Sequence, residues 1–269
     1  MMEKPPLTIA GSDPTGGAGL EADLKVFLAH GLSGAALATA LTVQDTHRVH
    51  DCGGMSPGLF RRRLEVLAAD ISPGGIKTGL LPGPGIVRAL AEHFERDRPR
   101  LLVIDPVLAP TRGKPFLSGA GRRLLLDRLL PLATLVTPNL GEAALLLGRT
   151  EQSVRRAPEK ATRQLLETGV GAVLLKGGHF QGGMATDLMD DGRRITELSL
   201  PRIGGRAGKV HGTGCALSAA LLSNLLLGHS LEEAARRAKR YVHEALRGAR
   251  RVGGGRLQLG FLADRAAGS

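Results

Sequence analysis

The feature that most constrains the fold of this chain is the alternation of short apolar runs with longer segments of helical periodicity. Apolar runs at residues 7–10, 101–104 and 172–175 each end at glycines or polar residues, and a segment with apolar side chains three or four positions apart follows. This alternation is typical of β-α-β units and of a mostly parallel sheet. We therefore predict an α/β fold, a three-layer αβα sandwich around one mostly parallel central sheet.

The same patterns predict the individual elements. Strands are expected at 7–10, 35–41, 75–78, 101–104, 133–137 and 172–175, and helices at 18–30, 59–69, 85–95, 141–147, 216–227 and 231–249. Two alternating runs within 185–200, joined by Asp191-Gly192, predict a small β-hairpin excursion that is attached to the main sheet.

One domain covering residues 1–269 is the expected organisation. The chain is long enough to bury a sizeable core without disulfide or metal support. It shows no internal repeat and no long linker, so we expect a single domain with the hairpin as its one excursion.

Composition excludes several classes of protein. The chain has no Trp and an aromatic content of 3%, so it has few aromatic side chains on which the bases of single-stranded nucleic acid could stack. Two cysteines argue against a disulfide framework and against a multi-cysteine zinc site. With no apolar signal-peptide core and no run near ~20 apolar residues, a cytoplasmic protein without a membrane partner is expected.

The net charge of +11 points to anionic partners but does not identify one. The charge is mostly Arg, with several adjacent pairs and a triplet, and most of these groups occur among Glu and Leu on segments of helical periodicity, where a solvated helix face explains them. A basic nucleic-acid-binding protein is therefore kept as an alternative of a different class, prompted only by this charge, and no nucleic-acid partner is expected.

Polar side chains follow the predicted strands where each strand ends. In an open parallel sheet the ligand lies beyond the carboxyl ends of the strands, so these side chains are expected to converge on a binding site. The alternative is that every strand must end in something polar. The residues concerned are Ser12, Asp13, Gln44, Asp45, Asp105, Asn139 and Lys176.

A glycine-rich turn at residues 11–19 separates the first strand from the first helix. Its glycines miss the dinucleotide-binding spacing, and no Gly-Lys-Ser/Thr follows as in a P-loop. The turn lets backbone approach a ligand closely, or it is only a tight structural turn. Asp23 lies at the edge of the apolar stripe of the next helix, where it would face a pocket or, alternatively, bulk water.

The segment His211-Gly-Thr-Gly-Cys215 is the most informative motif. It precedes an apolar helix, and unpaired backbone N–H groups at such a helix start form an anion site. Cys215 would lie in the first turn, where the pKa of a thiol falls below its ordinary value of about 8.5. The alternative is that Cys215 is a small core residue.

Asp105 and Glu142 form a pair of carboxylates close to the predicted anion site. Two such groups can hold Mg²⁺, usually through water, although each could instead cap its own strand or helix. Lys176 is a cation suited to a bridging phosphate.

Taken together, these motifs resemble the ribokinase-like superfamily, and within it the hydroxymethylpyrimidine/phosphomethylpyrimidine kinases of thiamine synthesis. The matching segments follow the family's order and span most of the chain. They are Leu7-Thr-Ile-Ala-Gly-Ser-Asp13, Gly16-Gly-Ala-Gly19, Ala22-Asp-Leu-Lys25, Val43-Gln44, Lys77-Thr-Gly79, Asp105-Pro-Val107, Thr137-Pro-Asn139, Glu142-Ala, Leu175-Lys-Gly-Gly-His179 and His211-Gly-Thr-Gly-Cys215.

The resemblance implies transfer of the ATP γ-phosphoryl group to 4-amino-5-hydroxymethyl-2-methylpyrimidine and then to its monophosphate, with ATP and Mg²⁺ as cofactors. It implies a base or positioning role for Cys215, with Lys176 balancing the charge of the phosphate. The other implied sites are pyrimidine binding by Gly11, Asp23 and Gln44, ATP and phosphate binding by Asn139, Gly212, Thr213 and Gly214, and Mg²⁺ binding by Asp105 and Glu142.

Two departures from the family's pattern mark where this chain differs. Lys209-Val210 precede the His-Gly-Thr-Gly-Cys segment in place of the common Asn-Thr, and Arg206 makes that loop unusually basic. Val252-Gly-Gly-Gly-Arg256 replaces a Gly-His-Gly-like stretch. A pyridoxal or pyridoxine kinase of the same superfamily is the nearest alternative, and a homodimer is implied by the resemblance.

Overall fold

The structure, a computed structural model, describes residues 4–109, 115–177, 183–204 and 209–261. Its strands are β1 Pro6–Ser12, β2 Ala35–Gln44, β3 Val49–Gly54, β4 Gly75–Thr78, β5 Leu102–Ile104, β6 Leu135–Val136, β7 Val173–Leu175, β8 Met184–Asp190, β9 Ile195–Pro201, β10 Val210–His211 and β11 Leu257–Gln258. Its helices are α1 Gly19–Ala29, α2 Pro57–Asp70, α3 Gly83–Arg96, α4 Gly119–Leu124, α5 Leu140–Leu147, α6 Glu151–Arg156, α7 Pro158–Leu166, α8 Thr213–Leu226 and α9 Leu231–Arg247, and a π-helical turn at Leu125–Leu129 follows α4.

One nine-stranded sheet forms the centre of the molecule, with the order β3-β2-β1-β4-β5-β6-β7-β8-β9. The six central strands, in the order β2-β1-β4-β5-β6-β7, are parallel to one another. β3 at one edge and the hairpin β8–β9 at the other are antiparallel. The sheet is therefore mostly parallel, and the hairpin is attached to its edge, both as predicted.

Helices cover both faces of this sheet because its strands alternate apolar side chains between two cores. Leu102 and Ile104 of β5 belong to the core beneath α2, α3, α5 and α7. Val103, between them, belongs to the core beneath α1, α8 and α9. This alternation follows from the two-residue period of a strand and gives the three-layer αβα arrangement.

The helix starts are set by side chains that accept hydrogen bonds from the first turn. Ser56 accepts from the Leu59 N–H at the start of α2, where Pro57 occupies the first helical position. Asn139 and Glu142 form a reciprocal capping box at the start of α5. Gly212, with a φ of 84°, begins α8 without a side-chain cap.

Two short strands, β10 and β11, pair outside the main sheet and carry the end of the chain back to the glycine-rich turn. Val210 lies opposite Leu257, and His211 opposite Gln258, in a parallel pair. This pairing places residues 250–258, which we call the C-terminal strap, beside the carboxyl ends of β1 and β2.

Candidate functional site

A cavity of about 340 Å³ lies at the carboxyl ends of the parallel strands, where α8 begins. The polar residues that follow strands converge there, as predicted. All seven of them line the cavity, namely Ser12, Asp13, Gln44, Asp45, Asp105, Asn139 and Lys176.

Ten of the eleven predicted site residues border this cavity. They are Gly11, Gln44, Asp105, Asn139, Glu142, Lys176, Gly212, Thr213, Gly214 and Cys215. Asp23 is the exception, as described below.

The start of α8 forms one end of the cavity. The first intrahelical bond runs from the Ala216 N–H to the Gly212 carbonyl, so the N–H groups of Thr213, Gly214 and Cys215 have no partner within the helix. A Cβ on Gly212 would lie 1.8 Å from the Gly17 carbonyl oxygen, which allows only glycine there. Backbone N–H groups and the positive end of the helix dipole together suit a phosphate at this point.

Lys176 forms ion pairs with both of the predicted metal-binding carboxylates, Asp105 and Glu142. Its Nζ atom lies 2.8 Å from Asp105 Oδ1 and 3.8 Å from Glu142 Oε2. Burial alone would lower the pKa of Lys176, but the charges of Asp105 and Glu142 outweigh it and raise the pKa. Burial, reinforced by the Asp105 charge, raises the pKa of Glu142 to about 7 although Lys176 opposes this. The cluster therefore keeps a charged ammonium group beside Gly214.

Space beside Gly214 is taken up by this cluster. A Cβ at Gly214 would lie 3.1 Å from Lys176 Nζ and 3.6 Å from Asp105 Oδ2. Glycine at this position lets the ammonium group and the helix N–H groups approach the same point.

Asn139 and Glu142 also have a structural role, which the sequence had left as an alternative. Asn139 Oδ1 accepts from the Glu142 N–H at 2.9 Å, and Glu142 Oε2 accepts from the Asn139 N–H at 2.8 Å. One oxygen of Glu142 is thus committed to the helix start. The side-chain amide of Asn139 keeps its two donors for a ligand.

The glycine-rich turn is held in shape by Asp13. Its carboxylate accepts from the Thr15 N–H, the Thr15 hydroxyl and the Ala18 N–H at 2.8–2.9 Å. Gly19 has a φ of 61°, and a Cβ there would lie 2.3 Å from the Gly11 carbonyl oxygen. The turn therefore brings its backbone close to the cavity.

Gln44 lines the cavity and contacts His211, to which the sequence assigned no role. Gln44 Nε2 is 3.0 Å from His211 Nε2. The same imidazole nitrogen is 3.2 Å from Asp13 Oδ2. His211 begins the His-Gly-Thr-Gly-Cys motif, but nothing in the sequence indicated that it would contact the side chain of Gln44 on β2.

Asp23 does not reach the cavity, which corrects the expectation that it contacts the ring. Its side chain is fully buried, and Oδ2 accepts from Thr8 Oγ1 at 2.5 Å and from Lys77 Nζ at 2.7 Å. The other oxygen, Oδ1, has no hydrogen-bond partner among the described residues. Asp23 is instead half of an internal ion pair with Lys77, because α1 turns it towards β1 and β4.

Lys77 is a residue whose role the sequence did not reveal. It is fully buried, yet the charges of Asp23 and Asp105 outweigh burial and raise its pKa. It therefore supplies a fixed positive charge beneath the cavity floor. In the sequence, Lys77 was noted only as part of the segment Lys77-Thr-Gly79, which matches the family.

The expectation of a lowered pKa for Cys215 is wrong in this structure. Burial raises the pKa of the thiol to about 11, and the charges of Asp105 and Asp23 add to it, while Lys77 and a hydrogen bond from the Gly19 backbone oppose it. Desolvation thus outweighs the favourable helix start. The prediction that Cys215 lies in the first turn of α8 is confirmed.

The C-terminal strap is hydrogen-bonded to the turn between β2 and β3 beside the cavity. Gly255 N donates to Thr46 Oγ1 at 2.9 Å and Arg256 N donates to the Thr46 carbonyl at 2.7 Å. Gln258 Nε2 donates to the Thr15 carbonyl at 2.5 Å. Thr46 and Arg256 both line the cavity, and neither was singled out from the sequence as a site residue.

Some predicted features lie outside the described residues, namely Gly178, His179 and Arg206. Within the described residues, no group of three or more His, Cys, Asp or Glu side chains could hold a metal ion. No helix in that part of the chain is both long and apolar enough to cross a membrane.

Comparison with known protein families gives a match over most of the chain. The model of the family described as phosphomethylpyrimidine kinase matches residues 13–259. The hydroxymethylpyrimidine/phosphomethylpyrimidine kinase of Rhizobium meliloti is 40% identical over 246 residues, which cover 91% of this chain and 91% of that protein.

Solved structures show the same architecture. The pyridoxal kinase from Staphylococcus aureus in complex with AMP-PCP and pyridoxal has a TM-score of 0.88 at 30% identity, covering 98% of this chain and 96% of that chain. The phosphomethylpyrimidine kinase from Clostridium difficile has a TM-score of 0.76 at 33% identity, covering 91% of this chain and 100% of that chain. Both likenesses bear out the expected ribokinase-like fold.

Proposed function

Because the chain belongs to the phosphomethylpyrimidine kinase family, we propose that it transfers the γ-phosphoryl group of ATP to 4-amino-5-hydroxymethyl-2-methylpyrimidine and then to the resulting monophosphate. The observation that carries this proposal is the arrangement of one cavity. The start of α8, the Lys176 ammonium and the carboxamide of Gln44 all line this cavity.

The start of α8 supports the phosphoryl-transfer step. In the first transfer the substrate hydroxyl oxygen attacks the γ-phosphorus and its proton passes to water or to a phosphoryl oxygen, while the bond from that phosphorus to the β–γ bridging oxygen breaks and ADP leaves with that electron pair. In the second transfer an oxygen of the substrate's phosphate group attacks in the same way. The N–H groups of Thr213, Gly214 and Cys215, with Lys176, offer donors to the charge spread over the phosphoryl oxygens. Such a reaction depends mainly on positioning and charge stabilisation.

Cys215 fits a positioning role better than that of a base. A thiol whose pKa is raised to about 11 stays protonated at neutral pH. It can then donate a weak hydrogen bond at the start of α8, and in a loose transition state the substrate hydroxyl loses its proton late.

Asp105 and Glu142 are the residues that would hold Mg²⁺. Their carboxylate oxygens are hard donors, and two carboxylates together with phosphate oxygens and water match the preference of this ion. When bound, Mg²⁺ would neutralise charge on the ATP phosphates. Lys176, which Asp105 already contacts, would neutralise further charge on the transferred group.

A coupled assay of ADP release tests the proposal with the hydroxymethylpyrimidine and its monophosphate as separate substrates. Turnover with both is expected, and removal of Mg²⁺ by a chelator should abolish it. Absence of turnover with either pyrimidine would contradict the proposal.

Pyridoxal is the second candidate substrate, favoured by the TM-score of 0.88 to a pyridoxal kinase complex. The ratio of kcat/KM for the pyrimidine to kcat/KM for pyridoxal decides between the two, since specificity is that ratio. We expect the ratio to exceed one.

Three further predictions accompany this function. A single domain over residues 1–269, a cytoplasmic location and a homodimer remain expectations from the sequence and its resemblance. Limited proteolysis, cell fractionation and analytical ultracentrifugation test them in turn.

A further inference from the structure

An ion pair that does not line the cavity is bonded to the backbone next to Lys176. Lys239 Nζ on α9 lies 2.5 Å from Asp187 Oδ2 on β8, and the two side chains are only 11% and 9% exposed. The other oxygen of this carboxylate accepts from the Gly177 N–H at 2.9 Å. We propose that Asp187 is a positioning residue for the phosphoryl transfer and acts by holding the backbone that carries the Lys176 side chain. This inference rests on the proposed function and deepens it, because it names what places the cation of that site.

The register of β7 and β8 explains why this carboxylate reaches Gly177. Leu175, the last residue of β7, lies opposite Leu188 in an antiparallel pair. Lys176 follows the one and Asp187 precedes the other, so the two residues come next to each other where β7 ends. A side chain of β8 thereby accepts the first backbone N–H after Lys176.

The backbone on the other side of Lys176 is held as well. The Lys176 N–H donates to the Pro138 carbonyl at 2.8 Å, in the turn between β6 and α5. Acceptors from two neighbouring elements therefore hold the N–H groups of Lys176 and Gly177. These bonds fix the direction in which the lysine side chain leaves the backbone, and its Nζ reaches Asp105 at 2.8 Å. Loss of the Asp187 acceptor frees one of the two, and a displacement of about 1 Å in a reacting site can cost about 10²-fold in rate.

Lys239 gives the carboxylate of Asp187 its counter-charge. A carboxylate this far from water is costly without one, and Lys239 supplies it from α9. Arg236 and Arg237 on the same helix pair instead with glutamates of their own helix. Lys239 is thus directed to the sheet, while those two arginines are neutralised on α9 itself.

Two double variants separate the hydrogen-bond acceptor from the ion pair. Asp187→Leu with Lys239→Met removes both, and replacing a buried ion pair by apolar side chains of similar size is often neutral for stability. Asp187→Asn with Lys239→Gln removes the charges but keeps a carbonyl oxygen for the Gly177 N–H. We expect the apolar pair of substitutions to lower kcat by about tenfold or more and the amide pair to keep kcat within about twofold, with KM for the pyrimidine little changed in both. Equal kcat in the two double variants would overturn the proposal.

Asp190→Leu is the matched control, because Asp190 is a buried carboxylate at the other end of β8. It accepts from Thr162 and from the Gly192 N–H and pairs with Arg163, and none of these residues lines the cavity. We expect this variant to lose stability in chemical denaturation and to keep the kcat of the wild type. A fall in kcat as large as that of the apolar double variant would show that any damage to β8 slows the reaction, and it would overturn a specific role for Asp187.

The Lys176→Ala background tests whether Asp187 acts through Lys176. There, Asp187→Leu with Lys239→Met should lower kcat no further, since residues that act through one another are not additive. Additive losses would contradict the positioning role.

Amide hydrogen exchange gives a readout independent of turnover. We expect the Gly177 amide to exchange about tenfold faster or more in the apolar double variant, and at nearly the rate of the wild type in the amide double variant. An exchange rate at Gly177 that none of these substitutions changes would refute the proposal. Failure of the wild-type protein to phosphorylate the pyrimidine would overturn the proposed function and this inference with it, whereas wild-type turnover with equal kcat in the two double variants would overturn this inference alone.

Discussion

Cys215 shows how burial can oppose a local motif. The start of α8 favours an anion, but desolvation holds the pKa of the thiol at about 11. In the Cys52→Ser variant, where Cys215 is the only cysteine, alkylation by iodoacetamide should be slow at pH 7 and should rise about tenfold per pH unit towards pH ~11.

The sign follows from the raised pKa. The neutral thiol dominates below pH ~11, and only the thiolate reacts. A rate that levels off near pH 8 would show that the helix start governs the thiol after all. The Cys215→Ser variant of the same protein, which has no cysteine, gives the background.

The ion pair between Asp23 and Lys77 gives a second prediction at the residue scale. Both side chains are fully buried, so Lys77→Met leaves a carboxylate in the core without its counter-charge. We expect a loss of about 3–5 kcal/mol in the free energy of unfolding, measured by chemical denaturation.

Adding Asp23→Asn to Lys77→Met should recover most of that loss. The neutral amide removes the unpaired charge and still accepts from Thr8. If the two substitutions are simply additive, the pair contributes no coupled electrostatic energy and this interpretation is contradicted.

The site residues that could be predicted from the sequence are those that directly follow a strand of the parallel sheet. Asp105 and Lys176 directly follow strands, and the parallel order of those strands brings them together. The contact of Gln44 with His211 joins residues 167 positions apart, and no local pattern encodes it. Asp23 was misplaced because the apolar stripe of α1 gives its position on the helix but not that Lys77 lies opposite.

At the element scale, the C-terminal strap depends on its glycines. A Cβ on Gly255 would lie 2.2 Å from the Thr46 carbonyl oxygen, so the strap or the β2–β3 turn must move. We expect Gly255→Ala to cost about 1–3 kcal/mol in the free energy of unfolding, as overpacking does. It should also raise KM for the pyrimidine, because Thr46 lines the cavity.

Gly58→Ala is the matched control for this substitution. Gly58 is exposed in the first turn of α2, and a Cβ there meets nothing within 4 Å. We expect unchanged kinetics and a stability equal to the wild type or up to ~1 kcal/mol higher. Equal stability and equal KM in the two variants would show that packing of the strap against the β2–β3 turn affects neither quantity.

The elements with strong periodicity were predicted, and those formed by pairing were not. The spacing of apolar residues indicated α3 and α9, which the structure gives as Gly83–Arg96 and Leu231–Arg247. β3 contains His, Asp, Cys and two glycines and has no alternation of its own; it forms by pairing with the edge of β2. The short, arginine-rich helix α6 likewise lacked a signal, because so few residues give little periodicity.

At the scale of the whole molecule, the net charge of +11 is distributed so that many arginines have carboxylate partners. Arg128 pairs with Glu95 between neighbouring elements, and pairs one helical turn apart occur on α6 and α9. Exposed pairs of this kind contribute little stability, but each neutralises a charge that a phosphate backbone would otherwise contact.

This distribution predicts weak binding to nucleic acid despite the high net charge. In a fluorescence-anisotropy titration with a short DNA duplex at physiological salt, we expect a Kd of about 10⁻⁵ M or weaker, within the range of non-specific binding. Replacing Glu232 and Glu233 by Gln should tighten binding, because Arg194, Arg236, Arg237 and Arg240 all contact these two carboxylates. Submicromolar binding by the wild type, with a steep dependence on salt, would contradict the view that the arginines form a solvated, self-paired surface and would support the nucleic-acid-binding alternative.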